Sequence, residues 1–469
     1  MSSSSTTTPD FGSGRLTRPR RRIAVTALGG YFVDGYDLLI LSGALLGIVP
    51  ELHLSPVELG ALTAAAFLGM SFGSLLAGPL TDRYGRRVVF FATMILFVVG
   101  SLAFLPARTA WQLIALRFVI GLAIGADMPA AGALIAEFIP SKARGVYTSL
   151  AGVAWMMGSV VAVGVTLVIY GAAGGTQHWR WALATGSITA IVLLFLRRAT
   201  PDSPHWLRSK GREADARAAW RYAAGEAGDA PPEPLSPPPP PVSELASPNL
   251  GNAALRRLFR RPLVLLLIGQ CIYWGFNNLY GSAILLYQPT LIKRIATPSP
   301  FSSLLFTVGT LLLAVVIGLV VCFVLVERLG RRFIAIAGTS IVVVAGVVMW
   351  AGFHSSSVVL IAFAAAIGFI NGGTSMAFYA WAPEIFPTEV RGRGIGIVNT
   401  VGKLGSVVGT FLLPFAFEAF GGGAFLLIAG LAALNVAAVA VLSIETKGQT
   451  LEAVQATAER RFGKEPHAA

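Results

Sequence analysis

Charged residues and cysteines are the two classes of which this 469-residue chain has little. Asp, Glu, Lys and Arg together make up 13% of it, about half of the roughly 25% that is usual in soluble domains. Its two cysteines, Cys271 and Cys322, both lie in apolar runs. No disulfide framework can be read from them, and no metal site is supported. A chain so poor in charge is expected to fold in lipid and not in water.

Apolar sequence takes the place of the missing charge, since 55% of the residues are hydrophobic. A helix that crosses a membrane needs about 20 mostly apolar residues. The apolar runs here are continuous rather than alternating, which predicts helices and not the strands of a β-barrel. The predicted spans, numbered 1 to 12, cover residues 24–48, 58–79, 88–106, 111–133, 147–171, 179–196, 263–290, 302–326, 333–353, 357–381, 394–418 and 423–443.

Lys and Arg are distributed unevenly between the predicted loops. With the N-terminus placed inside the cell, the inner segments hold nearly all of the 36 Lys and Arg residues, and the outer loops hold only Arg108, Arg180, Lys293 and Arg294. This bias predicts a multi-pass protein of the plasma membrane with both termini in the cytoplasm. It also explains the net charge of +13 without a nucleic-acid partner.

The spans divide the chain into two halves. We expect a disordered tail at 1–22, a six-helix bundle at 23–196, a cytoplasmic linker at 197–262, a second six-helix bundle at 263–443 and a tail at 444–469. The prolines at 231–241 predict an extended spacer within the linker. Two motifs recur in register: DRYGRR at 82–87 returns as ERLGRR at 327–332, and ExxPxxxRG at 137–145 returns at 384–392. The repeats indicate duplication of a six-helix unit.

These motifs resemble known transporters. GPLTDRYGRR at 78–87 is similar to the signature loop of the major facilitator superfamily, and PDSPHWL at 201–207, PEIFP at 383–387 and ETKG at 445–448 resemble its sugar-porter branch. The resemblance covers nearly the whole chain. It implies an all-α fold of two pseudo-symmetric six-helix bundles that transports a small molecule by alternating access, and we expect a monomer. No nucleophile–base or metal-ligand constellation occurs in the polar segments, so neither a cofactor nor an enzymatic activity is expected.

Other motifs point to the substrate. DGYD at 34–37, GADMP at 125–129 and GKLG at 402–405 resemble proton symporters for phosphate or organic metabolites. The glutamines of sugar porters on helices 5 and 7 are replaced by Gly152, Ser159, Cys271 and Ile272, which disfavours hexoses. The acidic residue that phosphate symporters have on helix 7 is Asn278 here, which disfavours phosphate.

Ionisable residues inside predicted spans are functional candidates, because burying charge in a membrane is costly. Asp34 and Asp37 are three residues apart and share one face of span 1. Two carboxylates this close do not both ionise easily, so one is expected to hold a proton, unless this end of the helix is open to water. The resemblance implies that Asp37 pairs with Arg117, and that protonation of Asp37 releases Arg117 during transport. A static ion pair is the alternative.

Two further charges complete this set. The resemblance implies that Asp127 and Lys403 face the transport cavity, Asp127 as a second proton site and Lys403 as a contact for an anionic substrate. A structural pairing of Lys403 is the alternative. The remaining candidates for substrate binding are aromatic or amide side chains on spans 7 and 10: Trp274, Asn277, Asn278, Asn371 and Tyr379. They would suit an aromatic acid.

The repeated loops supply candidates for gating. In the family, such residues connect the two halves by ion pairs that break during transport. The candidates here are Gly78, Asp82, Gly85, Arg86, Arg87, Glu137, Arg144, Glu327, Arg331, Glu384 and Arg391.

The sequence thus predicts a proton-coupled symporter that imports a small, anionic organic metabolite across the bilayer. Three alternatives stay open. They are a proton-linked efflux antiporter for drugs or secondary metabolites, a symporter of inorganic phosphate or sugar, and a non-transporting metabolite sensor.

Overall fold

The computed structural model of the protein describes residues 17–139, 141–198, 200–224, 256–295, 299–353, 356–387, 390–449 and 451–463. The described residues form helices and no strands. Most of the predicted N-terminal tail and the whole proline tract lie outside the described residues. Span 1 begins at Arg18, so the last residues of the predicted disordered tail are helical.

Ten stretches of the described residues are long and apolar enough to cross a membrane. The stretch Arg391–Leu442 contains two of the predicted spans, joined by a 3-10 turn at Gly421–Gly423. Span 3 has only 17 residues and is not among the ten. Counting the stretch Arg391–Leu442 as two spans and adding span 3 gives twelve, so the twelve predicted spans are confirmed.

The spans have the following bounds. They are Arg18–Leu52, Pro56–Tyr84, Arg86–Leu102, Ala110–Phe138, Ser141–Ala173, His178–Ala184 continued by Gly186–Arg197, Leu263–Ile295, Pro300–Val320 continued by a π-turn at Val321–Leu325 and by Val326–Leu329, Arg331–Ala351, Ser356–Ile367 continued by a π-turn at Gly368–Thr374 and by Ser375–Ile385, Arg391–Phe420, and Ala424–Leu442. Outside the spans lie the helices Pro204–Ser209, Glu213–Ala224 and Leu451–Phe462.

Local sequence fixes several helix ends. Span 2 begins with a capping box in which Ser55 and Glu58 bond each other's backbone N–H groups, and Thr109 and Gln112 form the same motif at span 4. Spans 3 and 9 each follow a glycine with positive φ, Gly85 at 88° and Gly330 at 95°. Side chains other than hydrogen rarely adopt this conformation, so the repeated glycine allows the same tight turn in both halves.

Helix pairing follows the internal duplication. Span 1 packs on span 5 as span 7 packs on span 11, and span 2 packs on span 4 as span 8 packs on span 10. The halves meet where span 2 contacts span 11, span 5 contacts span 8, and span 1 contacts span 7. We call the end of the bundle that carries Arg18 and Leu442 the terminal side, and the end that carries Leu52 and Phe420 the far side.

Small residues allow the closest helix contacts. A Cβ atom at Gly121 or Gly125 of span 4 would overlap a backbone carbonyl of span 2, and one at Gly69 or Gly73 would overlap a carbonyl of span 4. Gly409 is packed in the same way against span 7. Glycine pairs four residues apart allow membrane helices to approach closely, and the pairs at 69 and 73 and at 121 and 125 do so here. Large apolar side chains such as Val168 and Ile361, 70% and 73% exposed, face outward, where lipid would cover them.

Candidate functional site

A cavity of ≈ 230 Å³ lies between the two halves. Spans 1, 2, 4 and 5 line one side of it, and spans 7, 10 and 11 line the other. The structure brings together in its wall all the residues that the sequence nominated for substrate binding: Lys403, Trp274, Asn277, Asn278, Asn371 and Tyr379. Their role in binding stays a prediction, but their convergence on one cavity is a property of the fold.

The two walls of this cavity differ in polarity. The N-terminal half contributes mainly apolar side chains, which include Phe67, Met128, Trp155 and Met156, with the hydroxyl of Tyr31 beside them. The C-terminal half contributes amides, hydroxyls and one ammonium group. A ligand with one apolar and one polar end would therefore be held in a fixed orientation.

The amides of the polar wall are held by hydrogen bonds. Asn277 Oδ1 accepts from the Thr374 hydroxyl at 2.8 Å. Asn278 Nδ2 donates to the Trp274 carbonyl at 2.8 Å, and its Oδ1 accepts from Ser406 at 3.3 Å. Asn371 Nδ2 donates to the carbonyl one turn earlier, at 3.3 Å. Because an amide has two donor hydrogens and two lone pairs, each of the three keeps capacity for a ligand.

Aromatic rings form a rigid part of the same wall. Trp274 stacks on Phe378 with ring centroids 3.9 Å apart and planes within 5°. Tyr379 contacts Trp274 edge-on at 5.7 Å. A Cβ atom at Gly402 would overlap the Trp274 ring, so the small residue before Lys403 sets how closely span 11 approaches this tryptophan.

Asp37 and Arg117 form a buried ion pair behind the apolar wall. Arg117 Nη1 donates to Asp37 Oδ2 at 2.7 Å and to the Asp37 carbonyl at 3.2 Å. The two side chains are 3% and 0% exposed. Nε and Nη2 of Arg117 are buried without a partner in the described structure. The pairing implied by the family resemblance is thus present, whereas its function in proton coupling stays a prediction.

Asp34 lies one turn before Asp37 and is 1% exposed. Its Oδ2 atom has no hydrogen-bond partner among the described residues. A buried polar atom left unpaired is costly, and protonation would remove the charge. Because Asp34 is buried in the middle of span 1, the alternative that this part of the helix is open to water is disfavoured.

Asp127 does not face the cavity, which corrects the expectation from sequence. It forms a two-point ion pair with Arg197 of span 6, at 2.5 and 2.8 Å, and accepts a bond from Thr93 at 3.3 Å. The Arg197 guanidinium also lies 4.3 Å from the centre of the Phe90 ring. The predicted orientation was wrong because span 6 continues to Arg197, which the sequence had assigned to the basic linker. A role of Asp127 in proton coupling stays a prediction. The Asp127 carboxylate is therefore neutralised within its own half.

Lys403 lines the cavity but is bonded across the interface between the halves. Its Nζ donates to the hydroxyl of Ser74 on span 2 and to the Met70 carbonyl at 3.4 Å. Ser74 in turn donates to the Gly125 carbonyl of span 4 at 3.0 Å. The described hydrogen bonds of Lys403 are thus to neutral oxygens, and no described carboxylate forms an ion pair with it.

The cavity is closed toward the far side. Tyr287 of span 7 shares a 2.8 Å hydrogen bond with Thr63 of span 2 and donates to the Thr410 carbonyl of span 11 at 3.2 Å. A Cβ atom at Gly60 would overlap the Phe411 carbonyl. Three spans from both halves therefore meet closely around one tyrosine hydroxyl.

The halves separate toward the terminal side. Spans 2 and 11 are still in contact where Lys403 meets Ser74. One turn further along span 2, Gly78 is exposed, and so is Gly396 on span 11. A Cβ atom at either glycine would meet nothing within 4 Å. Spans 2 and 11 thus make no contact at these two glycines, and we infer that the cavity opens toward the terminal side.

The described contacts of the gating candidates lie within one half, and the predicted ion pairs between the halves stay a prediction. Arg331 pairs with Glu327 at 2.6 Å and with Glu384 at 2.8 Å, all in the C-terminal half. Arg391, predicted to join Glu384, donates to the Phe386 carbonyl at 3.3 Å. The side chains of Asp82, Glu137 and Arg144 lie outside the described residues.

The two signature loops are anchored in parallel ways. Glu445, after span 12, accepts from the backbone N–H groups of Arg331 and Arg332, both at 3.0 Å. Asp202, after span 6, accepts from the Arg87 backbone N–H at 2.8 Å. An acidic side chain thus caps the N-terminus of span 3 and of span 9, which favours each helix start.

Several cavity residues were not nominated from sequence. Asn399 and Ser406 line the cavity and lie four residues before and three after Lys403, so a shared helix face could have identified them. Trp155 and Met156 gave no such signal, because the sequence does not distinguish an apolar residue that faces a cavity from one that faces lipid.

Comparison with known proteins gives one consistent result. Residues 23–458 match the family model described as "Sugar (and other) transporter". The inner membrane metabolite transport protein YgcS of Escherichia coli (strain K12) is 28% identical over 413 residues, 87% of either chain. The niacin transporter NiaP of Acinetobacter baylyi (strain ATCC 33305 / BD413 / ADP1) is 27% identical and covers 91% of this chain and 94% of its own.

Solved structures show the same fold. The xylose transporter XylE from E. coli, in a partially occluded inward-open conformation, matches with a TM-score of 0.76 at 20% identity. The match covers 92% of this chain and 100% of that one.

Proposed function

We propose, on the premise that this chain belongs to the sugar (and other) transporter family, that it is a proton-coupled symporter of a small anionic organic metabolite. The chain is a multi-pass membrane transporter of metabolites, and not an enzyme. The proposal concerns what it carries and what drives the transport.

The observation that carries the proposal is the buried pair of Asp37 and Arg117 behind the cavity wall. Removing one partner of a buried ion pair costs about 3–5 kcal/mol, because the other charge is left uncompensated. Protonation of Asp37 has the same electrostatic effect. The protonated state would therefore favour a rearrangement that gives Arg117 new partners, and its two unpartnered nitrogen atoms are the groups to be satisfied.

The balance of charge around the cavity supports coupling to an anion. Six charged side chains line the cavity or lie buried behind it in the N-terminal half, and with all of them ionised the three of each sign give a sum of zero: Asp34, Asp37, Asp127, Arg117, Arg197 and Lys403. An anionic substrate beside Lys403 adds one negative charge to a region of low dielectric. One proton on Asp34 or Asp37 restores neutrality, so a monoanion and a proton would cross together.

The cavity walls indicate what kind of anion fits. At ≈ 230 Å³ the cavity is smaller than the roughly 300–1,000 Å³ of sites for drug-sized ligands. Trp155 and Met156 offer an apolar surface for a ring, and the amides and Lys403 face them. Since a similar protein is named a niacin transporter, we propose an aromatic monocarboxylate. The sugar-porter glutamine positions support this: Ser159 is occupied by bonds to the Gly35 and Trp155 carbonyls, at 3.3 and 3.1 Å.

The bias of Lys and Arg supports a cytoplasmic position for both chain termini. The terminal side is then the inner side, and the accessible cavity faces the cytoplasm. Import by alternating access would require the contact around Tyr287 to open toward the outside. Loading from outside and release at the terminal side would then complete the cycle.

The test is uptake into proteoliposomes that contain the purified protein. Labelled nicotinate, benzoate, phosphate and xylose are offered with an imposed pH gradient, acidic outside, or with an imposed potassium diffusion potential. We expect the aromatic carboxylates to accumulate in response to the pH gradient and to respond little to the potential, because one proton with one monoanion carries no net charge. Uptake of the carboxylates that is indifferent to the pH gradient would disprove the proton coupling, and uptake of xylose or phosphate alone would disprove the substrate class.

A further inference from the structure

The ammonium group of Lys403 is held by hydrogen bonds to span 2. Its ammonium group is bonded to the Ser74 hydroxyl and to the Met70 carbonyl, both on the opposite half of the protein. A carboxylate bound in the cavity would form a stronger, charge-assisted bond with the same ammonium group. The substrate anion and Ser74 are therefore alternative acceptors for one charge.

Ser74 is itself fixed in place for this contact. Its hydroxyl hydrogen is directed to the Gly125 carbonyl of span 4, at 3.0 Å, so the lone pairs of its oxygen are left to accept from Lys403. Gly125 also packs so closely on span 2 that a Cβ atom there would overlap the Met70 carbonyl. Spans 2 and 4 thus hold the hydroxyl rigidly opposite span 11.

We propose that Ser74 is a positioning residue that holds Lys403 across the interface while the cavity is empty, and that an anionic substrate displaces it. This inference rests on the proposed function only in requiring that the substrate be an anion. Binding of the anion would remove one contact between span 2 and span 11 at the level where the halves begin to separate. Occupation of the site would thereby loosen the interface that must move, whereas a neutral ligand would leave the contact intact.

The consequence for affinity has a definite sign. In the wild-type protein, an anion must compete with Ser74 for the ammonium group. Ser74→Ala removes that bond from the protein without bound anion, so the affinity for the anion should rise by about three- to tenfold. A tenfold change corresponds to about 1.4 kcal/mol. The increase is smaller where water replaces part of the lost hydrogen bond. Ser74→Thr keeps the hydroxyl and should restore the wild-type affinity.

The chain offers a matched control three residues away. Ser71 is also half-buried on span 2, but its hydroxyl donates to the Phe67 carbonyl of its own helix at 2.9 Å. Ser71→Ala should therefore leave affinity unchanged. Two probes of nearly the same shape provide a second control, since nicotinate has a carboxylate and nicotinamide has none.

The experiment measures binding of nicotinate, nicotinamide and benzoate to the purified full chain in lipid nanodiscs by isothermal titration calorimetry. We expect Ser74→Ala to tighten nicotinate but not nicotinamide, and Ser71→Ala and Ser74→Thr to resemble wild type. Equal nicotinate affinity in Ser74→Ala and Ser71→Ala, or weaker binding in Ser74→Ala, would overturn the inference while the proposed function stood. Failure of the wild type to bind nicotinate and benzoate alike would instead overturn the proposed anionic substrate, and this inference with it.

Discussion

Arg117 holds Asp37 through a single guanidinium nitrogen, 2.7 Å from the carboxylate, while two of its other nitrogen atoms have no described partner. A static structural pair would gain most from two parallel bonds, such as those that Arg197 makes with Asp127. The two buried pairs of the N-terminal half thus differ in geometry. The geometry of the first supports the proposal that it breaks during transport, and the geometry of the second is that expected of a stabilising pair.

Replacement of Asp37 tests the first of these pairs. Asn at this position is neutral at every pH and resembles the protonated aspartate, so transport should no longer require a proton. Asp37→Asn should lose accumulation driven by the pH gradient and keep exchange of substrate between the two sides. Uptake and counterflow in proteoliposomes measure the two activities separately.

A third carboxylate on span 1 provides the control for Asp37. Glu51 pairs with Arg180 at 2.5 Å near the far side, where both side chains are partly exposed. Glu51→Gln should keep driven accumulation. If Asp37→Asn accumulates substrate as well as Glu51→Gln does, Asp37 has no part in the coupling.

Replacement of Arg197 tests the second pair. Because Asp127 is 0% exposed, Arg197→Met would leave its charge buried and unpaired. We expect a loss of about 3–5 kcal/mol in the stability of the N-terminal half, seen as a lower melting temperature of the purified protein. The double variant Arg197→Met with Asp127→Leu removes both charges and should recover most of the loss.

The neighbouring Arg198 serves as the control for this experiment. Its side chain is exposed and lies 4.3 Å from the Phe195 ring centre, so Arg198→Met should change the melting temperature little. A double variant that melts as low as the single variant would show that the ion pair itself, and not an uncompensated charge, stabilises this half.

Replacement of Tyr287 tests the closed far side. Tyr287→Phe removes the hydroxyl that connects spans 2, 7 and 11 and keeps the ring. The loss of about 1 kcal/mol of hydrogen bonding should raise the population open to the far side about fivefold. For the measurement, Cys271 and Cys322 are first replaced, and Ser282→Cys places a single thiol in the cavity. The rate at which this thiol reacts with an impermeant maleimide added on the far side is then measured.

Another tyrosine of the same helix provides the comparison for Tyr287. Tyr280 is equally buried, and its hydroxyl accepts from Asn435 at 3.1 Å within the C-terminal half. Tyr280→Phe removes the same atom away from the interface and should not change the labelling rate. Equal rates in the two variants would contradict the assignment of Tyr287 to the closure.

Much of this site could be predicted from sequence, because membrane burial makes each charge informative. Asp37 and Arg117 stood out as ionisable residues in apolar spans, and the polar wall stood out as amides and rings on spans 7 and 10. The partner of Asp127 was missed because Arg197 lies 70 residues away at the very end of a span, among basic linker residues. Ser74 was missed because a serine in a membrane helix is common, and only the fold places it against Lys403.

The apolar wall shows a different limit. Trp155 and Met156 lie on a helix that faces lipid on one side and the cavity on the other. Hydrophobicity alone does not distinguish the two environments. The glycine pairs four residues apart, by contrast, have a spacing that is typical of close helix contacts, and they allow a test of packing that is independent of transport.

Two glycines of the N-terminal half should respond to the same substitution with opposite signs. Gly121→Ala would place a Cβ atom against the Ala66 carbonyl of span 2, and since backbone atoms cannot move aside without shifting the helix, we expect a cost of about 1–3 kcal/mol. At Gly164 of span 5 a Cβ atom would meet nothing within 4 Å. Alanine there should stabilise the helix by about 0.5–1 kcal/mol. The measurement is the melting temperature of each purified variant. We expect a lower value for Gly121→Ala and an unchanged or higher value for Gly164→Ala. Similar values for both variants would contradict the close packing of spans 2 and 4.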